Sequence, residues 1–183
     1  AMNAAAMAQR NAISGSQECV SPFNLIVGLC AQEYGAASKA LLAAGVNTRE
    51  LGKAAGLAAS IEFPPAFGGI PIEDRRAPQR SELLVQVLKL AKESSRSRNM
   101  PYVGTEHLLL GMMDTKDASA QLLKDRGVNS KDLKALLLDM RKGQRATSST
   151  QEQTFQSLEK YAKNLNKLAQ DGKLDPVIGR ENE

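Results

Sequence analysis

Ala40-Leu41-Leu42-Ala43-Ala44-Gly45-Val46-Asn47-Thr48-Arg49-Glu50-Leu51 and Leu122-Leu123-Lys124-Asp125-Arg126-Gly127-Val128-Asn129-Ser130-Lys131-Asp132-Leu133 follow one pattern twice. In each, a Leu-containing stretch runs into Gly-Val-Asn, then a hydroxyl residue, a base, an acid and Leu. The correspondence extends upstream with a single one-residue gap, since Ser-Pro-Phe-Asn-Leu-Ile-Val-Gly-Leu at 21–29 faces Gly-Thr-Glu-His-Leu-Leu-Leu-Gly-Met at 104–112. A match of this length and order makes the chain an internal duplication.

Each copy reads as short helices separated by tight turns. Ser21-Pro22 and Gly104-Thr105 supply a capping hydroxyl, with proline at the opening position in the first copy, before two apolar turns. Gly45 and Gly127 close helices as residues that tolerate the left-handed conformation. Asn47 and Asn129 then cap the next helix, with Glu50 and Asp132 near its positive end. Leu83, Leu84, Val87, Leu88 and Ala91 predict a helix at about 81–98, and Ala4, Ala5, Ala8 and Ala12 give a weaker stripe for its first-copy counterpart. The predicted fold is all-α: two pseudo-twofold-related four-helix repeats, a linker and a C-terminal helix. Repeat 1 spans 1–62, the inter-repeat connection 63–80 and repeat 2 81–142, together one domain of residues 1–142.

The connection carries Pro64, Pro65, Gly68, Gly69, Pro71 and Pro78, which deny regular hydrogen bonding and predict a surface crossing. Residues 143–153 are polar and small, as in a flexible linker. Phe155, Leu158, Ala162, Leu165 and Ala169 predict a helix at about 154–170 whose apolar stripe needs a partner outside it.

Composition agrees with close-packed helices: no Trp, four Phe and three Tyr among 183 residues. The net charge of +4 is spread through alternating bases and acids, unlike the clustered cations of a nucleic-acid surface. Cys19 and Cys30 lack partners for a metal tetrad and read as reduced, partly buried thiols of an intracellular protein. No apolar run reaches the length of a membrane span. The Ala1-Met2 start reads as an expression scar or a cut inside a helix, with any leader already removed.

The string Gly104-Thr105-Glu106-His107-Leu108-Leu109-Leu110-Gly111, the Gly-Val-Asn turns and the tail Gly172-Lys173-Leu174-Asp175-Pro176-Val177-Ile178-Gly179-Arg180 resemble the N-terminal region of ClpB- and ClpC-type AAA+ unfoldases. The resemblance covers nearly the whole chain, and its tail marks the start of the first AAA+ module at 154–183. It implies a compact helical domain that recruits substrates and adaptors for an ATP-hydrolysing ring, ClpB-like in its linker, ClpC-like in its Gly-Thr-Glu-His string. The alternative is a stand-alone accessory protein that stabilises a Clp protease core. Implied partners are unfolded or aggregated proteins, adaptors and a Clp protease core, with neither nucleic acid nor membrane. The longer chain is expected to be a homo-hexamer using ATP and Mg, and this stretch a monomer. The expected location is a bacterial cytoplasm or an organelle stroma or matrix, with the plastid favoured.

No Gly-x-x-x-x-Gly-Lys-Ser/Thr occurs here, so hydrolysis of ATP is not expected of this stretch, and no metal site or cofactor is expected within it. The resemblance places Val177, Ile178 and Gly179 at the adenine side of a nucleotide pocket in the longer chain. His107 is the single histidine and reads as a structural residue. Glu106, beside Thr105 at a helix N-terminus, corresponds to an acid that in some ClpC relatives helps capture phosphorylated arginine, against the plainer reading of a first-turn acid. The first copy has Pro22-Phe23-Asn24 at these positions and lacks the matching acid. The leucines at 108–110 and 136–138 read as core, a minority lining a crease between the halves where apolar segments bind weakly.

Overall fold

The computed structural model describes residues 2–63 and 77–140. The expected linker at 143–153, the helix at 154–170 and most of the proline-rich connection lie outside the described residues. Eight helices occur among the described residues: α1 (Met2–Ser14), α2 (Pro22–Cys30), α3 (Ala36–Ala43) and α4 (Thr48–Glu62), then α5 (Glu82–Ser97), α6 (Thr105–Asp114), α7 (Ala118–Asp125) and α8 (Ser130–Met140). None is long and apolar enough to cross a membrane.

The Gly-Val-Asn triplets show why one short pattern can be used twice. Gly45 and Gly127 sit at φ +80 and +85, the left-handed region that a residue with a Cβ enters only at a cost. The next N–H closes the turn in each half: Val46 N–H donates to Leu41 O at 2.9 Å and Val128 N–H to Leu123 O at 3.0 Å. Both valines are buried, completing a helix stop with its apolar contact. Asn47 Oδ1 then accepts from Arg49 N–H and Glu50 N–H, and Asn129 Oδ1 from Lys131 N–H, so the third residue starts the next helix.

Two glycines set how closely the first helices of each half approach the second. A Cβ on Gly28 would run into the carbonyl oxygen of Ala4, and one on Gly111 would lie 2.7 Å from Val87 O and 2.9 Å from Ala91 N. The backbones of α1 and α2 therefore touch as those of α5 and α6 do, in the same register. Ala4, Ala8 and Ala12 face inward on α1, as Leu84, Val87 and Ala91 do on α5. Ala5 departs from the expected stripe and is exposed, because the seam needs only one small residue per turn. Leu83 is likewise 36% exposed at the edge of α5. Two residues past the end of α1 and of α5 stands a non-glycine left-handed residue, Ser16 (φ 57) and Asn99 (φ 52).

Between halves, α3 lies against α8 and α4 against α7, the reciprocal contact that a twofold relation produces. One hydrophobic cluster runs through both, from Leu25, Leu41 and Leu51 to Leu109, Leu123 and Leu137. Each such side chain contributes about 1.5–3 kcal/mol on burial, so the halves share one core.

A short parallel ladder departs from the expected irregular connection. Cys19–Val20 (β1) pairs with Gln79–Arg80 (β2), with Gln79 N–H donating to Glu18 O at 2.8 Å and Ser81 N–H to Val20 O at 3.0 Å. The last proline of the connection is Pro78, so every N–H after it is free to donate.

Candidate functional site

The N-terminus of α6 carries Thr105, Glu106 and His107, all buried to within 1% of full enclosure. Gly104 is its N-cap and has no side chain to offer, so the neighbours do the capping. Gly104 N–H donates to His107 Nδ1 at 2.9 Å, a backward cap in which an imidazole stands where a capping box carries Glu or Gln. Because Nδ1 accepts, the ring proton of the neutral tautomer sits on Nε2. The Glu106 carboxylate folds back beside it, with Oε1 3.3 Å from the same Nδ1. A Cβ on Gly104 would fall on the carboxylate oxygens of Glu106, so glycine is what lets this acid lie over the start of its own helix. There the carboxylate meets the positive end of the helix dipole.

Thr105 corrects a sequence expectation. Its hydroxyl does not cap α6; Oγ1 accepts from Ala37 N–H at 3.3 Å, inside the first turn of α3 in the other half. The N-cap of α3 is Gly35, which makes no side-chain cap, and the second half supplies the missing acceptor.

In the first half the corresponding N-terminus uses Ser21 and Asn24. Ser21 N–H donates to Asn24 Oδ1 at 2.8 Å, and Asn24 N–H donates to Ser21 Oγ at 3.4 Å. Asn24 Nδ2 donates onward to Asn11 Oδ1 and Gln17 Oε1, both at 2.8 Å, and Gln17 Nε2 donates to Ala59 O at 2.7 Å. This amide chain ties α1, α2 and the last turn of α4 together. Asn11, Gln17 and Asn24 escaped the reading of the sequence, and the signal for them was the alignment of Asn24 with His107.

Elsewhere, Asp117 Oδ1 caps α7 by accepting from Ala120 N–H at 2.9 Å and Ser119 Oγ at 2.8 Å. Glu62, at the end of α4, has its carboxyl pushed above the usual range, first by burial and then by the charge of Asp117, with the Ser21 hydroxyl opposing. Burial pushes the Cys30 thiol up to about 12. Cys19 and Cys30 are both free and half-buried. No group of three or more metal-ligating side chains exists among the described residues. Leu108, Leu109 and Leu110 are enclosed, as is Leu137, while Leu138 is 64% exposed. Val177, Ile178 and Gly179 lie outside the described residues.

Residues 80–176 match the family model of the Clp repeat (R) N-terminal domain. A chaperone protein ClpB of Rhodopirellula baltica is 33% identical over all 183 residues, which is 20% of its own length. ClpB of Bacteroides thetaiotaomicron is 40% identical over 121 residues, 66% of this chain and 13% of that one. The chain thus spans a fifth or less of these relatives. Both are bacterial, which lends no support to the expected plastid. Among solved structures, the Hsp104 N-terminal domain from Candida albicans superposes with a TM-score of 0.64 at 16% identity, covering 80% of this chain and 92% of that one. The N-terminal domain of ClpD from Arabidopsis thaliana gives 0.53 at 25% identity, covering 78% and 92%.

Proposed function

This chain belongs to the Clp repeat N-terminal domain family, and from that premise we propose that it is the substrate- and adaptor-recruiting part of an ATP-driven ring unfoldase of ClpB type. The supporting observation is the match to ClpB chains far longer than this one, joined to the tail Leu174-Asp175-Pro176-Val177-Ile178-Gly179-Arg180. In this reading residues 1–142 form the recruiting domain, 143–153 tether it, and 154–183 enter the first AAA+ module. The longer chain binds ATP and Mg, with Val177, Ile178 and Gly179 at the adenine side, and works as a homo-hexamer in a bacterial cytoplasm. Unfolded and aggregated proteins, and adaptors, are its partners. Shallow contacts to apolar segments suit that task, because a tethered domain raises local substrate concentration without tight binding.

Thr105 and Glu106 belong to this proposal as residues that shape the α6 N-terminus. Both are buried, so they act on a ligand through the backbone they hold, and capture of phosphoarginine by Glu106 requires its carboxylate to swing outward. The test is a titration of the 183-residue chain with an unfolded protein, followed by NMR at high concentration. Saturable shifts are expected, and a flat titration defeats the reading.

A further inference from the structure

The two seams between the halves are reciprocal in geometry and unequal in charge. At one, α3 meets α8; at the other, α4 meets α7. The residue ahead of α3 is Gly35 and the residue ahead of α7 is Asp117, each the N-cap of its helix. Gly35 has no side chain, and Thr105 lends α3 an acceptor, so one seam is capped without a carboxylate. Asp117 brings a carboxylate into the other.

The cap uses only one oxygen of that carboxylate. Asp117 Oδ1 accepts from Ala120 N–H at 2.9 Å, Ser119 Oγ at 2.8 Å and Thr115 Oγ1 at 2.9 Å. Oδ2 is shut off from water and meets no donor among the described residues. An ionised oxygen left in that position is costly to keep. Glu62 is the last residue of α4 and stays exposed as a whole, so its carboxyl exchanges protons with solvent. Enclosure of part of its side chain, and then the like charge of Asp117, hold that carboxyl protonated to a higher pH than usual, against the Ser21 hydroxyl.

Neither carboxylate has an ion pair among the described residues. Of the helices packed on α4, α2 carries no charged residue, α3 carries Lys39 alone, and α7 carries Lys124 and Asp125 at its far end. On α6, Glu106 and His107 lie against each other at the start, and Asp114 at the end pairs with Lys134 at 3.5 Å. Glu18 and Arg80 stand at the ladder leading into Ser21, Lys116 precedes Asp117, and Arg49, Glu50 and Lys53 belong to the opposite end of α4.

We propose that Glu62 and Asp117 make the α4–α7 seam a pH-sensitive latch, closed when protonated Glu62 donates to Asp117 Oδ2 and loosened when both carboxylates are ionised. One proton satisfies the orphaned oxygen and removes one of two like charges. The latch holds fully below 4.5 and is lost as pH rises through the folded-state midpoint of Glu62. The α3–α8 seam, with Gly35 in the place of Asp117, does not respond. This device goes beyond the recruiting reading and does not depend on it.

The test follows side-chain carboxyl carbons of the 183-residue chain by ¹³C NMR from pH 4 to pH 8. Glu62 is expected to titrate above 4.5 in the parent and nearer to it in Asp117→Asn, which keeps an oxygen for the cap and drops the charge. NOEs between α4 and α7 are expected to weaken in the parent as pH passes up through that midpoint, while those between α3 and α8 hold. In Glu62→Gln, whose amide donates at every pH, both sets are expected to stay constant. The latch is wrong if Glu62 has one midpoint in parent and Asp117→Asn, if the α4–α7 NOEs ignore pH, or if they weaken in Glu62→Gln as in the parent. It is equally wrong if the α3–α8 NOEs weaken in step. Should Asp117→Asn fail to fold, the NOEs of the parent and Glu62→Gln decide.

Discussion

His107 does in the second half what Asn24 does in the first: each reaches back from the third helical position to accept the N–H of the N-cap, from Gly104 at 2.9 Å and from Ser21 at 2.8 Å. Two side chains of different chemistry serve one backbone requirement, so the position is defined by acceptor geometry. His107→Asn is expected to keep the bond and stay within about 1 kcal/mol of the parent, whereas His107→Ala orphans the Gly104 N–H and opens a cavity, costing about 2–4 kcal/mol. Urea unfolding measured on both variants separates the two outcomes.

Thr105→Val removes the acceptor that the second half lends to α3 while keeping the shape of the side chain. The Ala37 N–H is then unpaired, at a cost of about 0.5–2 kcal/mol, and Thr105→Ser is expected to restore most of it. Hydrogen exchange at Ala37 should quicken in the valine variant alone; unchanged protection there would show that the Ala37 N–H does not depend on this hydroxyl.

Gly111→Ala and Gly56→Ala should move stability in opposite directions. At Gly111 the new methyl meets the backbone of α5 at 2.7 Å and forces the helices apart, for about 1–3 kcal/mol. At Gly56, inside α4, the nearest atom is Val27 Cγ2 at 3.9 Å, so the methyl finds room and the gain in helix propensity is about 0.5–1 kcal/mol. Thermal melts of the pair check the sign directly.

Glu62 makes stability fall as pH rises. Its carboxyl is raised above 4.5 in the folded protein, so the folded state holds the proton over a window just above 4.5 where the unfolded chain has released it. The favourable contribution is complete below that window and is lost on passing up through it. Glu62→Gln is expected to be more stable than the parent at pH 7, with the difference shrinking toward pH 3.5.

Cys30, with its thiol raised to about 12, carries almost no thiolate at pH 7.5. Iodoacetamide should leave it unmodified over hours in native protein and react on unfolding, read by peptide mass spectrometry.

Much of this fold was legible because the decisive signals are local. Gly-Val-Asn stops one helix and starts another within three residues, and Ser21-Pro22 opens a helix without help from elsewhere. Thr105 was misread for the opposite reason: a hydroxyl at a helix start has several donors within reach, and only the packing of α3 against α6 selects Ala37 N–H. Gly28 and Gly111 were visible as an aligned pair, yet their meaning is the near-contact of two backbones, which no single helix reveals. The enclosure of Glu106 was equally hidden, since an acid in a first turn is ordinarily solvated and here it is folded over a glycine.

The ladder between Cys19–Val20 and Gln79–Arg80 fastens the entry of α5 to the entry of α2, and so brackets everything between them. The crossing leaves the end of α4 at Phe63 and is caught at its far end by this pairing, and lengthening a loop between two fixed ends costs only about 0.6 kcal/mol per doubling. Evolution or an engineer is therefore at liberty to splice foreign residues into 64–76, or to nick the peptide there, while the eight helices remain assembled as a noncovalent pair.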